Sequence, residues 1–280
     1  MQKYMENRDF PIGVFDSGIG GLTVVRQIHS LMPNESIIYL GDTARVPYGT
    51  KAPETIIRFA CEDAQFLMDQ KVKAIVVACN TASAWALREL ERRFALPICG
   101  VITPGAETAL IVSRNKRIGV IGTTATILSQ AYTYAMKDRL QKIQVYSQAC
   151  PLLVPLVEEG WLMHPITLKV LEEYLTPIVI EQIDTLILGC THYPLLKRAI
   201  QQVIPTLASQ PIELIDSAES CAQHLRRRLT DLDLLTSSAQ LGTITPFFTD
   251  ETPNFKRISS RFLGRKLPSA TRVQLREYLF

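Results

Sequence analysis

The chain has 280 residues, 47% of them hydrophobic and 20% charged, enough to bury a sizeable core in one or two soluble globular domains. Thirty Lys and Arg against 27 Asp and Glu leave a formal charge of +3, too small to argue for a nucleic-acid partner. The six cysteines lack the close, regular spacing of a disulfide framework or a CxxC metal clip, so free thiols and no metal are expected.

The opening MQKYMENRDFPIGVF has no apolar stretch behind a basic segment, and no uncharged apolar run reaches the roughly 18 residues of a membrane span. A cytoplasmic protein with no membrane partner is expected. FPIGVFD, SIIYLGD, KAIVVAC and PICGVIT then read as strands, separated by amphipathic stretches such as GGLTVVRQIHSLM and PETIIRFACEDAQFLMDQ. KRIGVIGT, KIQVYSQ, DTLILGC and PIELIDS continue the alternation, with ITLKVLEEYLTPIVIEQ as the longest helical stretch after it resumes. This βαβ rhythm predicts an α/β fold with mainly parallel sheets. TPFFTDETPNFKRISSRFLG reads as a strand, a turn and a short helix. The segment from Arg226 to Phe280 holds ten Lys/Arg to five Asp/Glu, which on helices is usually a solvated face.

Two of the apolar runs end alike, AIVVACNTAS at Cys79 and TLILGCTHYP at Cys190. Each places a thiol at a strand's carboxyl end, where open α/β sheets hold their ligands and where a following helix N-terminus favours the thiolate. Other anchors repeat in the same order: IGVFDS at Ile12 with IGVIGT at Ile118, and PICGVIT at Pro97 with PIELIDS at Pro211. Two related α/β units, related by a pseudo-two-fold axis, would bring both cysteines to one cleft between them. Facing thiols suit inversion at a carbon, since a planar intermediate needs a base on one face and an acid on the other. Asn80, Thr81 and Thr191, with amides at a helix N-terminus, offer donors to a carboxylate and to its developing charge; ordinary helix capping is their alternative role.

FDSGIGGLTV, GDTARVPYGTK, VVACNTAS, VPLVEEG and LGCTHYP, in this order, resemble the motif set of the glutamate racemases of the aspartate/glutamate racemase family, a resemblance that spans the chain from Ile12 to about Gly264. The resemblance implies a cofactor-independent isomerase that interconverts L- and D-glutamate and supplies D-glutamate for peptidoglycan. It implies that Cys79 takes the α-proton of D-glutamate and Cys190 that of L-glutamate. By the same resemblance Asp16 and Ser17 contact substrate, Tyr48 and Gly49 hold it, and His192 assists proton transfer beside Cys190. Glu158 matches an acid that hydrogen-bonds this histidine, with Glu159 as its rival. Asp16 either orients the substrate ammonium or shifts the ionisation of the first thiol, with a helix cap before GIGG as its rival role. The implied division is one domain of residues 1–102 plus 214–280, carrying Asp16 and Cys79, and another of 103–213, carrying Cys190 and His192. A homodimer is compatible with it.

DSGIGG lacks the G-x-G-x-x-G order of a dinucleotide site, so its glycines read as a tight turn that lets substrate approach closely. Arg45 could clamp a carboxylate, but a structural salt bridge is the expected role. Cys61, Cys99, Cys150 and Cys221 read as packing or surface residues. Two rival functions stand: a racemase for aspartate or another amino acid, and a non-catalytic ligand-binding or thiol-redox protein.

Overall fold

The computed structural model describes residues 8–251 and 255–276. In chain order it runs β1 (Ile12–Asp16), α1 (Leu22–Leu31), β2 (Ile37–Gly41), α2 (Pro53–Asp69), β3 (Ala74–Val77), α3 (Asn80–Arg93), β4 (Ile98–Gly100) and α4 (Ile102–Val112). There follow β5 (Arg117–Gly122), α5 (Thr124–Leu128), α6 (Ala131–Lys137), β6 (Gln144–Ala149), α7 (Leu153–Glu159), α8 (Pro165–Val179), β7 (Thr185–Gly189), α9 (Lys197–Leu207) and β8 (Glu213–Asp216). Last come α10 (Ser217–Asp231), β9 (Ile244–Phe248), α11 (Phe255–Leu263) and β10 (Thr271–Arg272).

The strands form two sheets, ordered β10-β9-β2-β1-β3-β4 and β6-β5-β7-β8. Every pairing among the described residues is parallel. Parallel strands with helices on both faces must be apolar on both sides, and β1, β3 and β7 are buried at every position. The order β2-β1-β3-β4 recurs as β6-β5-β7-β8, which is the structural counterpart of the repeated anchors. The fourth strands differ in register: Ile98 faces Ile75, while Leu214 faces Leu186. Leu214 lies three residues past Pro211 and Ile98 one past Pro97, so the two Pro-led motifs are not at the same height in their sheets.

β8 pairs with β7 in the second sheet, so a domain boundary at residue 214 would fall inside a strand of that sheet. The chain returns to the first sheet after Asp216, through α10, which packs on both α1 and α4. β9 then pairs beside β2, and β10 extends the edge. The expected strand and helix of the C-terminal stretch are β9 and α11; the turn expected between them includes residues 252–254, outside the described residues.

Expectation and structure part after Cys190. A helix follows Cys79 at once, and the Ser83 N–H closes its first turn on the Cys79 carbonyl at 2.8 Å. After Cys190 the corresponding donor would be residue 194, which is proline and has no N–H. Tyr193 bonds the Cys190 carbonyl instead, at 3.1 Å. The single helical turn Tyr193–Leu196 thus intervenes before α9. No helix among the described residues is long and apolar enough to cross a membrane.

Candidate active site

One cavity of about 340 Å3 lies where the carboxyl ends of the central strands of both sheets meet, and Cys79 and Cys190 both line it. The first sheet contributes Ser17, Gly18 and Ile19 after β1, Pro47, Tyr48 and Gly49 after β2, and Asn80 and Thr81 at the start of α3. The second contributes Thr123 and Thr124 after β5, Val154, Pro155 and Glu158 from α7, and Thr191 and His192 after β7. Of the eleven residues expected from sequence, ten line this cavity. Asp16 stands behind its wall.

The two halves meet under the thiols. A Cβ on Gly20 would lie 2.1 Å from Thr191 Oγ1 and 2.6 Å from His192 Nδ1, so the GIGG turn must be bare at this point. Thr23 Oγ1 donates across the same contact to the Thr191 carbonyl at 3.0 Å. The close approach expected of these glycines is therefore toward the second cysteine's turn, and the expected approach to substrate is not what requires Gly20.

Cys79 Sγ lies 3.5 Å from Ser17 Oγ and accepts from the Ala82 N–H at 3.5 Å. These contacts favour a thiolate, as a helix N-terminus should. Burial outweighs them: with the Asp16 carboxyl nearby, it pushes the Cys79 thiol up to about 12. The helix N-terminus alone leads to the opposite expectation, a thiol of lowered pKa. Asp16 is buried too, and burial raises its own carboxyl above the usual range. Its Oδ2 accepts from the Gly18 N–H at 3.1 Å, while Oδ1 has no partner among the described residues.

Cys190 has different company. His192 Nδ1 stands 3.9 Å from its sulfur, and Nε2 is 3.0 Å from Glu158 Oε1. Glu158 is the half-buried member of the EE pair, and Glu159 is exposed. Burial by itself lowers the His192 pKa, but the contacts with Cys190 and Glu158 prevail and raise it to about 10. Relative to an ordinary histidine value of 6.5, the raised value adds stability that is complete below about pH 6.5 and lost as pH climbs through about 10. The melting temperature of His192→Asn should therefore approach that of the native chain between pH 6 and 10. A constant gap would deny the charged pair.

Tyr48 lines the cavity and is almost wholly buried. Its hydroxyl is turned away, to Asp42 at 2.5 Å and Asp63 at 3.0 Å. Arg45 is held by Asp42 at 2.6 Å, Asp63 at 3.1 Å and Glu62, the structural ion pairing expected of it. Asn80 Oδ1 accepts from Tyr132 of α6 at 2.7 Å, a bond between the halves beside the first thiol. Thr81, Thr123 and Thr126 form a triangle of hydroxyls 2.8 to 3.2 Å apart. Sequence reasoning missed Thr123, although the internal repeat carried the signal: it stands in IGVIGT where Ser17 stands in IGVFDS. All six cysteines are free and buried, so surface placement fails for Cys61, Cys99, Cys150 and Cys221. Among the described residues no cluster of three or more His, Cys, Asp or Glu could hold a metal ion.

A profile of Asp/Glu/hydantoin racemases matches residues 12–225. Glutamate racemase of Syntrophus aciditrophicus is 48% identical over 266 residues, which is 95% of this chain and 97% of that protein. The crystal structure of glutamate racemase from Francisella tularensis in complex with D-glutamate superposes with a TM-score of 0.90 at 40% identity, covering 97% of this chain and 100% of that one. That of Thermus thermophilus glutamate racemase with β-chloro-D-alanine gives 0.85 at 43% identity, with coverage of 97% and 100%. The chain belongs to the Asp/Glu/hydantoin racemase family, on its glutamate racemase branch.

Proposed function

We propose that this chain interconverts L- and D-glutamate by passing protons through Cys79 and Cys190 on opposite faces of the α-carbon. The observation that carries the reading is the pair of thiols at equivalent strand ends, lining one cavity but standing in different settings. A thiolate on one side removes the α-proton and leaves a planar carbanion whose charge spreads into the carboxylate. The thiol on the other side then delivers its proton, so the product has inverted configuration and the two sulfurs have exchanged protonation states. By the family pattern Cys79 acts on D-glutamate and Cys190 on L-glutamate.

The surroundings give each side a proton partner. On the Cys190 side His192, steadied by Glu158, can take up or return the thiol proton. On the other side Ser17 can turn its O–H toward a Cys79 thiolate, and buried Asp16 controls how readily that thiolate forms. Burial pushes the Cys79 thiol up to about 12, and the cationic ammonium of an amino-acid substrate supplies a field that favours its ionisation. The backbone donors at Tyr48 and Gly49 and the side chains of Asn80, Thr81 and Thr191 serve the carboxylates. The division into residues 1–102 plus 214–280 and 103–213, with the return crossing moved past Asp216, belongs to the same proposal. So do the pseudo-two-fold axis, a homodimer, a cytoplasmic setting and a supply of D-glutamate for peptidoglycan.

The test is racemisation of each glutamate enantiomer with no added cofactor, before and after dialysis against a chelator and a carbonyl reagent. Unchanged rates in both directions are expected; loss that pyridoxal phosphate restores would remove the two-thiol mechanism. Aspartate should be a much poorer substrate. Donors spaced for two carboxylates lose one contact when a methylene is removed, and the stranded polar groups carry a penalty. Equal kcat/KM for aspartate and glutamate would move the chain to another substrate within the family.

A further inference from the structure

The loop that brings Tyr48 and Gly49 to the cavity is tied down by a buried cluster that sequence reasoning did not foresee. Asp42 ends the step out of β2, Arg45 and Tyr48 stand on the loop, and Glu62 and Asp63 project from α2. Asp42 and Asp63 are fully buried, and Glu62 nearly so.

The hydrogen-bond geometry fixes the proton count. Asp42 accepts at both oxygens: Oδ2 from Arg45 Nε at 2.6 Å and from the Tyr48 hydroxyl at 2.5 Å, and Oδ1 from the Thr249 hydroxyl at 3.0 Å. A carboxyl so fully supplied with donors acts as acceptor at both oxygens. Tyr48 has one proton, and the short contact to Asp42 uses it. Yet Asp63 Oδ2 also lies 3.0 Å from the same phenol oxygen. Two lone-pair oxygens do not attract at that distance, so a proton must lie between them, and only Asp63 can supply it. Charge agrees, since three carboxylates around a single guanidinium would leave two buried negative charges in excess.

We infer that Asp63 is a neutral carboxylic acid in the folded protein, a positioning residue that donates to Tyr48, accepts from Arg45 and so holds the substrate loop in place. Burial and the Asp42 charge favour its protonated form, against Arg45 and Tyr48. The titratable and charged groups facing it are Asp42, Arg45 and Tyr48 from the loop, Cys61 and Glu62 from α2, and Tyr39 from β2.

Three variants of the full chain decide this. Asp63→Asn reproduces the proposed donor and acceptor, so KM for both glutamate enantiomers should stay within about twofold of the native value. Asp63→Ala and Tyr48→Phe break the link and should raise KM about tenfold while kcat changes much less, the pattern of lost ground-state positioning. A second measurement needs no catalysis. An unfolded aspartate ionises above its ordinary 3.8, whereas folded Asp63 keeps its proton, so native stability falls relative to Asp63→Asn as pH rises from about 4 to 8. The melting temperature of Asp63→Asn minus that of the native chain should climb by several degrees over that range.

A gap that shrinks with pH, as an ionised Asp63 paired to Arg45 would give, overturns the inference. So does an Asp63→Asn enzyme as impaired as Asp63→Ala. The kinetic arm rests on the racemase reading. If the native chain fails to turn over glutamate, that reading falls and the melting-temperature arm decides for Asp63 on its own.

Discussion

Replacing either Cys79 or Cys190 by alanine should lower the rate of racemisation by about 10²- to 10⁴-fold, the usual contribution of a positioned acid or base. Both variants must lose kcat/KM equally in the two directions, because the enantiomers have equal free energies and the equilibrium constant is one whichever thiol is missing. The comparison set is Cys61→Ala, Cys99→Ala, Cys150→Ala and Cys221→Ala. Each of these removes a buried thiol outside the cavity lining, so activity per folded molecule should stay near native even where stability drops. A chain that loses Cys79 or Cys190 and still racemises within tenfold of native would refute the two-thiol assignment.

What the sequence made legible follows from its periodicity. Continuous apolar runs ending at Cys79 and Cys190 marked buried parallel strands, and the repeated anchors anticipated two sheets with the same inner strand order. Local pattern could also locate Asn80, Thr81 and Thr191, because each follows a strand whose end it decorates, whereas Ser17 and His192 came from the family resemblance. Three features were out of reach because they depend on distance in space. Asp16, expected at the substrate, is buried outside the cavity lining, its carboxyl accepting from the Gly18 N–H in the turn after β1. Tyr48 was expected in the site and lines it, but its hydroxyl goes to Asp42 and Asp63; a phenol turned toward two buried carboxylates is visible only once α2 is laid against the loop. The ionisation of Cys79 reversed because helix position is local while burial is not, and burial is the larger effect. Pro194, by contrast, was in plain view. Its missing N–H forbids the α-turn that follows Cys79 from forming after Cys190, and this is why the second thiol has a histidine beside it where the first has a helix amide.

That difference leads to the second large effect. When L-glutamate turns over in heavy water, D-glutamate collected during the first few per cent of conversion should carry deuterium at the α-carbon in nearly every molecule, and recovered L-glutamate almost none. The proton that arrives comes from a thiol equilibrated with solvent, and the proton that leaves stays on the other sulfur until after product departs. The reverse reaction should show the same pattern with the labels exchanged. Retention of the original hydrogen in most product molecules would mean one group serving both faces, and would remove the division of labour even if both cysteine variants were inactive. The single variants sharpen the test. With Cys79 replaced, the remaining base faces the α-hydrogen of L-glutamate, so any residual exchange should wash deuterium into L-glutamate without inverting it. With Cys190 replaced, residual exchange should be confined to D-glutamate. Exchange of the opposite enantiomer in each case would keep the two-thiol chemistry but reverse the roles of the helix-capping thiol and its histidine-paired partner.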